Sequence, residues 1–167
     1  MLTWTYKVVD FFYPKTVDKL DDFGIQKGDV VVDYGCGPGR YVRKASELVG
    51  AEGLVYAADI HELAIEAVQK EIVRHRLENV EPVLINGYDS GLDSGCADMV
   101  YALDMFHHVG ASNRFLAELN RILKRDGVLI LEDGHQSREK TLRKVKDSGF
   151  WDIESESKGH LRCRPRG

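Results

Sequence analysis

The stretch VVVDYGCGPGRY, from Val30 to Tyr41, decides the fold of this chain. Its first three residues are β-branched and apolar, which is typical of a strand buried on both faces of a parallel sheet. Three alternating glycines follow, Gly35, Gly37 and Gly39. Glycine permits positive φ and lets a ligand approach the backbone closely. A helix is predicted from Arg40, so its unpaired N–H groups would face a ligand on this loop.

The glycine spacing discriminates between classes of ligand. The loop reads GxGxG, whereas a dinucleotide fingerprint needs GxGxxG and a P-loop ends in Gly-Lys-Ser/Thr. Asp33 adds a carboxylate two residues before the first glycine. That charge would repel a pyrophosphate and attract an ammonium group. The stretch therefore favours a ligand with a cationic end, and a tight turn without a ligand is the alternative.

With an acid followed by GxGxG, the chain resembles the class I S-adenosylmethionine-dependent methyltransferases. The resemblance covers the chain from about Gly28 to the C-terminus. It implies that the cofactor is S-adenosyl-L-methionine, that the loop glycines contact its methionine part, and that Asp33 faces its amino group.

Short apolar runs alternate with helical segments along the chain and predict an α/β fold. We expect one domain over residues 1–167, a Rossmann-like three-layer sandwich with a mostly parallel seven-stranded sheet and an antiparallel C-terminal strand. The last two strands, Phe150–Glu156 and His160–Arg164, are predicted to form a hairpin. The middle of the chain predicts a helix at Arg114–Lys124 and a fifth strand at Val128–Leu131. Residues 28–167 would form the cofactor-binding core.

Residues 1–27 are predicted to form an aromatic, helical cap. Aromatic side chains cluster between Trp4 and Tyr13, before Pro14. The resemblance implies a lid over the active site, which would exclude water from the reaction. Simple packing against the sheet is the alternative.

Two further stretches carry predicted cofactor contacts. Asp59 ends the second strand about twenty residues beyond the glycines, where nucleotide-binding folds hold a ribose; it could also cap the helix that follows. The resemblance places Ile60 beside adenine. It also implies contacts from Gly87 and from Leu103, but the usual acid after the glycine is replaced by Tyr88, which would stack or donate instead.

The segment ALDMFHHVG directly follows the fourth strand. Ligands of open α/β sheets bind beyond the carboxyl ends of the strands, so Asp104, His107 and His108 fall where chemistry is expected. Histidine can take a proton from an acceptor near neutral pH, and Asp104 could orient the acceptor or a histidine. Hydrogen bonding and packing are alternative roles for the two histidines.

Composition limits the class of protein. The 167 residues are 43% hydrophobic and 30% charged, and the net charge of −4 argues against a general nucleic-acid binder. Three distant cysteines favour reduced thiols, and Lys7 and Asp10 interrupt the apolar N-terminal residues. We therefore expect a cytoplasmic protein without a membrane partner. No metal-ligand cluster is visible, and the oligomeric state is open, with a homodimer as one option.

Three functions follow as hypotheses. The leading one is methyl transfer from S-adenosylmethionine to a small molecule of unidentified structure. The alternatives are an NAD-dependent oxidoreductase on a similar fold, which should carry GxGxxG, and a protein that binds S-adenosylmethionine without catalysis.

Overall fold

The computed structural model describes residues 18–167. The strands are β1 (Val30–Tyr34), β2 (Leu54–Asp59), β3 (Val80–Leu84), β4 (Ala97–Ala102), β5 (Leu123–Glu132), β6 (Trp151–Glu156) and β7 (His160–Pro165). The helices are α1 (Val42–Val49), α2 (Glu62–His75), α3 (Ser112–Ile122) and α4 (Arg138–Ser148), with short 3-10 helices at Asp18–Phe23 and Phe106–His108. The aromatic cluster from Trp4 to Tyr13 lies outside the described residues, so the lid stays a prediction.

The chain divides into two compact units, the first of which reaches to Ile85. In the first unit the strands follow the order β3-β2-β1, and β2 pairs in parallel with both β1 and β3. Val31 and Val32 are fully buried because the helices of this unit pack against its strands. This burial explains why β1 begins with a continuous run of apolar residues, the pattern that predicted a strand covered on both faces.

The second unit runs from Asn86 to Gly167 and holds four strands in the order β4-β5-β7-β6. Strand β5 is parallel to β4, whereas β7 runs antiparallel to both β5 and β6. Helix α3 packs on β5, and α4 packs on α3 and β6. The core of this unit is built from large side chains that are at most 2% exposed, among them Tyr101, Phe106, Phe115 and Trp151.

The predicted fold class is confirmed. The seven strands belong to one mixed sheet in which β7 is the antiparallel strand, flanked by helices in a Rossmann-like α/β arrangement. The predicted hairpin is also confirmed, because β6 and β7 pair directly and the Ser157 N–H donates to the His160 carbonyl across the turn. Among residues 18–167, no helix has both the length and the apolar character needed to span a membrane.

One pair of predicted boundaries is wrong. The helix predicted to reach Lys124 ends at Ile122, and the strand predicted from Val128 begins already at Leu123. Leu123 pairs with Ala97, and the pairing with β4 then skips to Val128 opposite Met99 through a register shift. Gly127 permits this irregularity, since a Cβ there would lie only 2.7 Å from Leu123 Cδ2.

Candidate functional site

The glycine loop leaves β1 as a tight turn held by backbone hydrogen bonds. The N–H groups of Gly35 and Cys36 both donate to the Ala58 carbonyl, at 2.7 and 3.0 Å. All three loop glycines have positive φ, at 82°, 53° and 86° for Gly35, Gly37 and Gly39. Helix α1 then begins at Val42 without a side-chain cap. The predicted order of strand, glycine turn and helix is therefore the observed one, with the first N–H groups of the helix free of a side-chain acceptor.

Two of the glycines serve different purposes. A Cβ at Gly39 would lie 3.2 Å from Val68 Cγ2, so this glycine permits close packing of α2 against the loop. A Cβ at Gly37 would meet no atom of the described part of the chain within 4 Å. The space in front of Gly37 is open, which is what a ligand lying along the backbone requires.

Asp59 ties this loop to the end of β2. Its Oδ2 accepts a hydrogen bond from the Gly37 N–H at 2.9 Å, and its Oδ1 accepts one from the His61 N–H at 2.9 Å. Because His61 itself occupies the N-cap position of α2, Asp59 is not the helix cap. Each carboxylate oxygen can accept a further bond, so a pair of ribose hydroxyls remains compatible with this geometry.

Asp33 is a buried carboxyl group with an unsatisfied atom. Its side chain is 2% exposed, and Oδ2 has no hydrogen-bond partner within residues 18–167. Burial and the nearby charge of Asp59 raise the pKa of Asp33 to about 8, although Lys19 acts in the opposite direction. An unpaired buried carboxyl is costly, and a cationic group beside it would remove that cost. The first unit therefore fits a ligand with an ammonium group.

Apolar side chains stand exposed at the ends of β2 and β3. Ile60 is 55% exposed and Leu84 is 50% exposed, and Leu84 is the register partner of Asp59. A flat apolar ligand group could pack on them at low cost. Leu84 had no role in the sequence-based prediction. Its place at the end of β3, next to the end of β2 that carries Asp59, could have indicated a contact with the ligand.

Three residues that were predicted to contact the cofactor, Gly87, Tyr88 and Leu103, lie in the second unit. Gly87 has a φ of 64° and open space around it, and Leu103 is buried. The Tyr88 hydroxyl accepts a hydrogen bond from the Ala111 N–H at 2.9 Å, and Arg114 lies 5.4 Å from the ring centroid. Tyr88 is thus engaged within its own unit, and its role toward adenine stays a prediction.

The segment after β4 holds the predicted catalytic residues. Asp104 has a φ of 53°, which is unusual for a residue other than glycine, and its side chain is 66% exposed. The rings of His107 and His108 lie 3.8 Å apart between centroids. Both ring nitrogens of His107 are inaccessible to solvent and have no hydrogen-bond partner in the part of the chain that the structure describes. Burial, followed by the neighbouring His108, lowers the pKa of His107, while Asp104 opposes this.

A third histidine joins this cluster, and the sequence-based prediction missed it. The His135 ring lies edge-on to His107 with centroids 4.8 Å apart, and His135 Nε2 is 3.9 Å from Asp104 Oδ1. Gly134 makes room for this arrangement, since a Cβ there would overlap His107 Nδ1. One ligand atom from each of Asp104, His107 and His135 lies within 4.8 Å of the others. The sequence showed no such cluster because its members come from two separate segments of the chain.

The amino-acid sequence matches a known protein family. The family described as methyltransferase domain matches residues 32–131, which is more than half of the chain. The chain belongs to this family. The matched residues include the glycine loop, Asp59 and the segment after β4, so the predicted resemblance to class I S-adenosylmethionine-dependent methyltransferases is confirmed at the level of the family.

Individual relatives of this methyltransferase domain are distant. The aklanonic acid methyltransferase DauC of Streptomyces sp. strain C5 is 32% identical over 92 residues, which cover 55% of this chain and 42% of that protein. The ubiquinone/menaquinone biosynthesis C-methyltransferase UbiE of Hahella chejuensis is 29% identical over 115 residues, covering 68% of this chain and 46% of that protein. The chain thus spans less than half the length of both relatives.

A solved structure supports the fold assignment. A SAM-dependent methyltransferase from Aquifex aeolicus superposes with a TM-score of 0.81 at 22% identity, over 89% of this chain and 88% of that one. At this identity the similarity shows the shared fold.

Proposed function

We propose that this protein is an S-adenosylmethionine-dependent methyltransferase that acts on a small molecule. The observation that carries the proposal concerns residues 18–167: within them Asp33 Oδ2 is buried at the end of β1 without a partner, and the space at Gly37 is open. A cationic partner would stabilise the ionised form of such a buried carboxyl, and the amino group of the family's cofactor is one. Membership in the methyltransferase domain family supports the same cofactor.

The residues of the first unit would hold the two ends of the cofactor. Asp33 and the glycine loop take the amino acid end, because the carboxyl group and the open backbone lie there. Asp59, already fixed by Gly37 and His61, takes the ribose hydroxyls through its remaining acceptor capacity. Ile60 and Leu84 offer apolar surface for the adenine ring.

Bound S-adenosylmethionine would supply an electrophilic methyl group to a nucleophilic atom of the acceptor and would leave as S-adenosylhomocysteine. The protein's task is then to hold and orient the acceptor. We assign this task to Asp104, His107 and His108, which follow β4. A histidine ring nitrogen can also take the proton that the acceptor loses.

The relatives support a small-molecule acceptor, since their names refer to aklanonic acid and to ubiquinone or menaquinone biosynthesis. A nicotinamide enzyme is the second candidate, but its dinucleotide fingerprint GxGxxG is replaced here by GxGxG. A cytoplasmic location is part of the proposal and rests on Cys36, Cys96 and Cys163 being free thiols. A homodimer and the absence of nucleic-acid partners stay predictions.

The first experiment is a calorimetric titration with S-adenosylhomocysteine and, separately, with NAD. The proposal requires saturable binding of the first compound, and saturable binding of NAD alone would replace it with the oxidoreductase. Incubation with S-adenosylmethionine and a panel of small acceptors, read by mass spectrometry, then tests for methyl transfer. A protein that binds the cofactor but methylates no acceptor in a broad panel would favour the non-catalytic alternative.

Replacing Gly37 with alanine should weaken S-adenosylhomocysteine binding by about tenfold or more, since the new Cβ enters the space proposed for the ligand. Little stability should be lost through clashes, because no atom of residues 18–167 lies within 4 Å of that Cβ. Gly149→Ala is the matched control: its φ is 75° and its Cβ also meets nothing, but it lies at the end of α4. Equal affinity in the two variants, measured by calorimetry, would contradict the assigned ligand position.

A further inference from the structure

The cluster formed by Asp104, His107 and His135 combines two imidazoles with one carboxylate. These are the donor types that first-row transition metals prefer, and a set of two histidines and one carboxylate leaves further coordination positions open. All three residues belong to the second unit, and they come from two separate segments, the turn after β4 and the loop before α4.

The distances suit a shared ion after small side-chain movements. Two ligands that are each about 2.1 Å from an ion lie at most about 4.2 Å apart. Asp104 Oδ1 and His135 Nε2 already satisfy this limit at 3.9 Å, while the cluster as a whole spans 4.8 Å. The side chains of Asp104 and His135 are 66% and 81% exposed, so both can rotate toward an ion without disturbing the core.

Two observations set this cluster apart from an ordinary surface ion pair. The ring nitrogens of His107 are shielded from solvent and have no hydrogen-bond partner among residues 18–167, so one of them is available as a ligand. The Asp104 backbone is held at a φ of 53°, and Gly134 leaves the space in which the His107 ring lies. An exposed pair of Asp104 and His135 alone would contribute little to stability and would not account for the place of His107.

We propose that Asp104, His107 and His135 form a binding site for one divalent transition-metal ion such as Zn²⁺ or Co²⁺. The site does not depend on the proposed methyl transfer. An ion held there would keep coordination positions open toward solvent, and these positions could take an oxygen ligand. If that ligand is the methyl acceptor, this part of the idea rests on the proposed function.

The test is a titration of the tag-free protein with Co²⁺, followed by its visible absorption, and a competition with Zn²⁺. The expected result is one equivalent of Co²⁺ bound, displaced by Zn²⁺ and unaffected by millimolar Mg²⁺. His135→Ala and Asp104→Ala should each weaken binding by about tenfold or more. Because both side chains are exposed, neither replacement removes core packing.

His75→Ala is the matched control, since His75 Nε2 lies 3.1 Å from Glu71 at the surface and offers an unrelated histidine and carboxylate. It should bind Co²⁺ like the unchanged protein. Absence of stoichiometric binding, or equal affinity in the His135 and Asp104 variants and the control, would overturn the proposal. Titration of the same proteins with S-adenosylhomocysteine separates the metal site from the proposed function. Binding of S-adenosylhomocysteine without binding of Co²⁺ would contradict only the metal site. Binding of Co²⁺ without binding of S-adenosylhomocysteine would contradict only the proposed function.

Discussion

Replacing His107 with alanine is expected to lower the rate of methyl transfer by tenfold or more, with S-adenosylhomocysteine affinity nearly unchanged. The physical reason is position: the ring follows the carboxyl end of β4, and its nitrogens have no partner among the described residues. General-base catalysis typically contributes about a hundredfold to ten-thousandfold. His108→Ala should have a smaller effect, since His108 is the more exposed of the two.

The test measures the turnover rate with the acceptor that mass spectrometry identifies. EDTA is present so that a bound metal ion does not contribute to the rate. His107→Asn fills part of the ring's space without providing a base, and it guards against a loss of packing in the alanine variant. His75→Ala serves as the surface control. Full turnover in both the His107 and the His108 variants would mean that catalysis rests on holding the acceptor in place alone.

Replacing Asp33 with asparagine is expected to weaken S-adenosylhomocysteine binding by about tenfold or more, the effect of losing one charge-assisted hydrogen bond of roughly 1.5 to 3 kcal/mol. A second signature accompanies this loss. In the free protein the raised pKa of about 8 leaves Asp33 mostly protonated at pH 7. An ammonium group beside it favours the carboxylate, so binding should release close to one proton. Calorimetry in buffers of different ionisation enthalpy measures this release, which the asparagine variant should lack.

The same residue predicts how stability depends on pH. The pKa of Asp33 is raised from 3.8 to about 8, so between these values the folded protein holds a proton that the unfolded chain has released. The free energy of unfolding should therefore fall as the pH rises through this window, by up to about 1.4 kcal/mol per unit from this group. Asp33→Asn removes this contribution and should gain stability relative to the unchanged protein toward pH 8. Urea unfolding measures the difference in stability between the asparagine variant and the unchanged protein. A difference that stays constant from pH 5 to 8 would contradict a buried Asp33 with a raised pKa.

Much of the first unit was predictable because its signals are local. Val30–Val32 identify a buried strand by residue type, and the alternating glycines mark a turn that other residues adopt only at a cost. The boundary between α3 and β5 was not predictable in the same way. Leu123 continues the apolar period of the helix, and only its pairing with Ala97 assigns it to the strand.

The sequence by itself determined the seven-stranded α/β fold, the glycine loop and the acids at the ends of β1 and β2, since these depend on residue type and on spacing within one segment. Only the tertiary structure decided what those groups do. It brought the Gly37 N–H to Asp59 and left Asp33 Oδ2 without a partner among the residues that the structure describes. It also placed His135 beside His107, although 28 positions separate them in the chain. Such contacts depend on how loops from different strands meet, and no local pattern in the sequence carries that information.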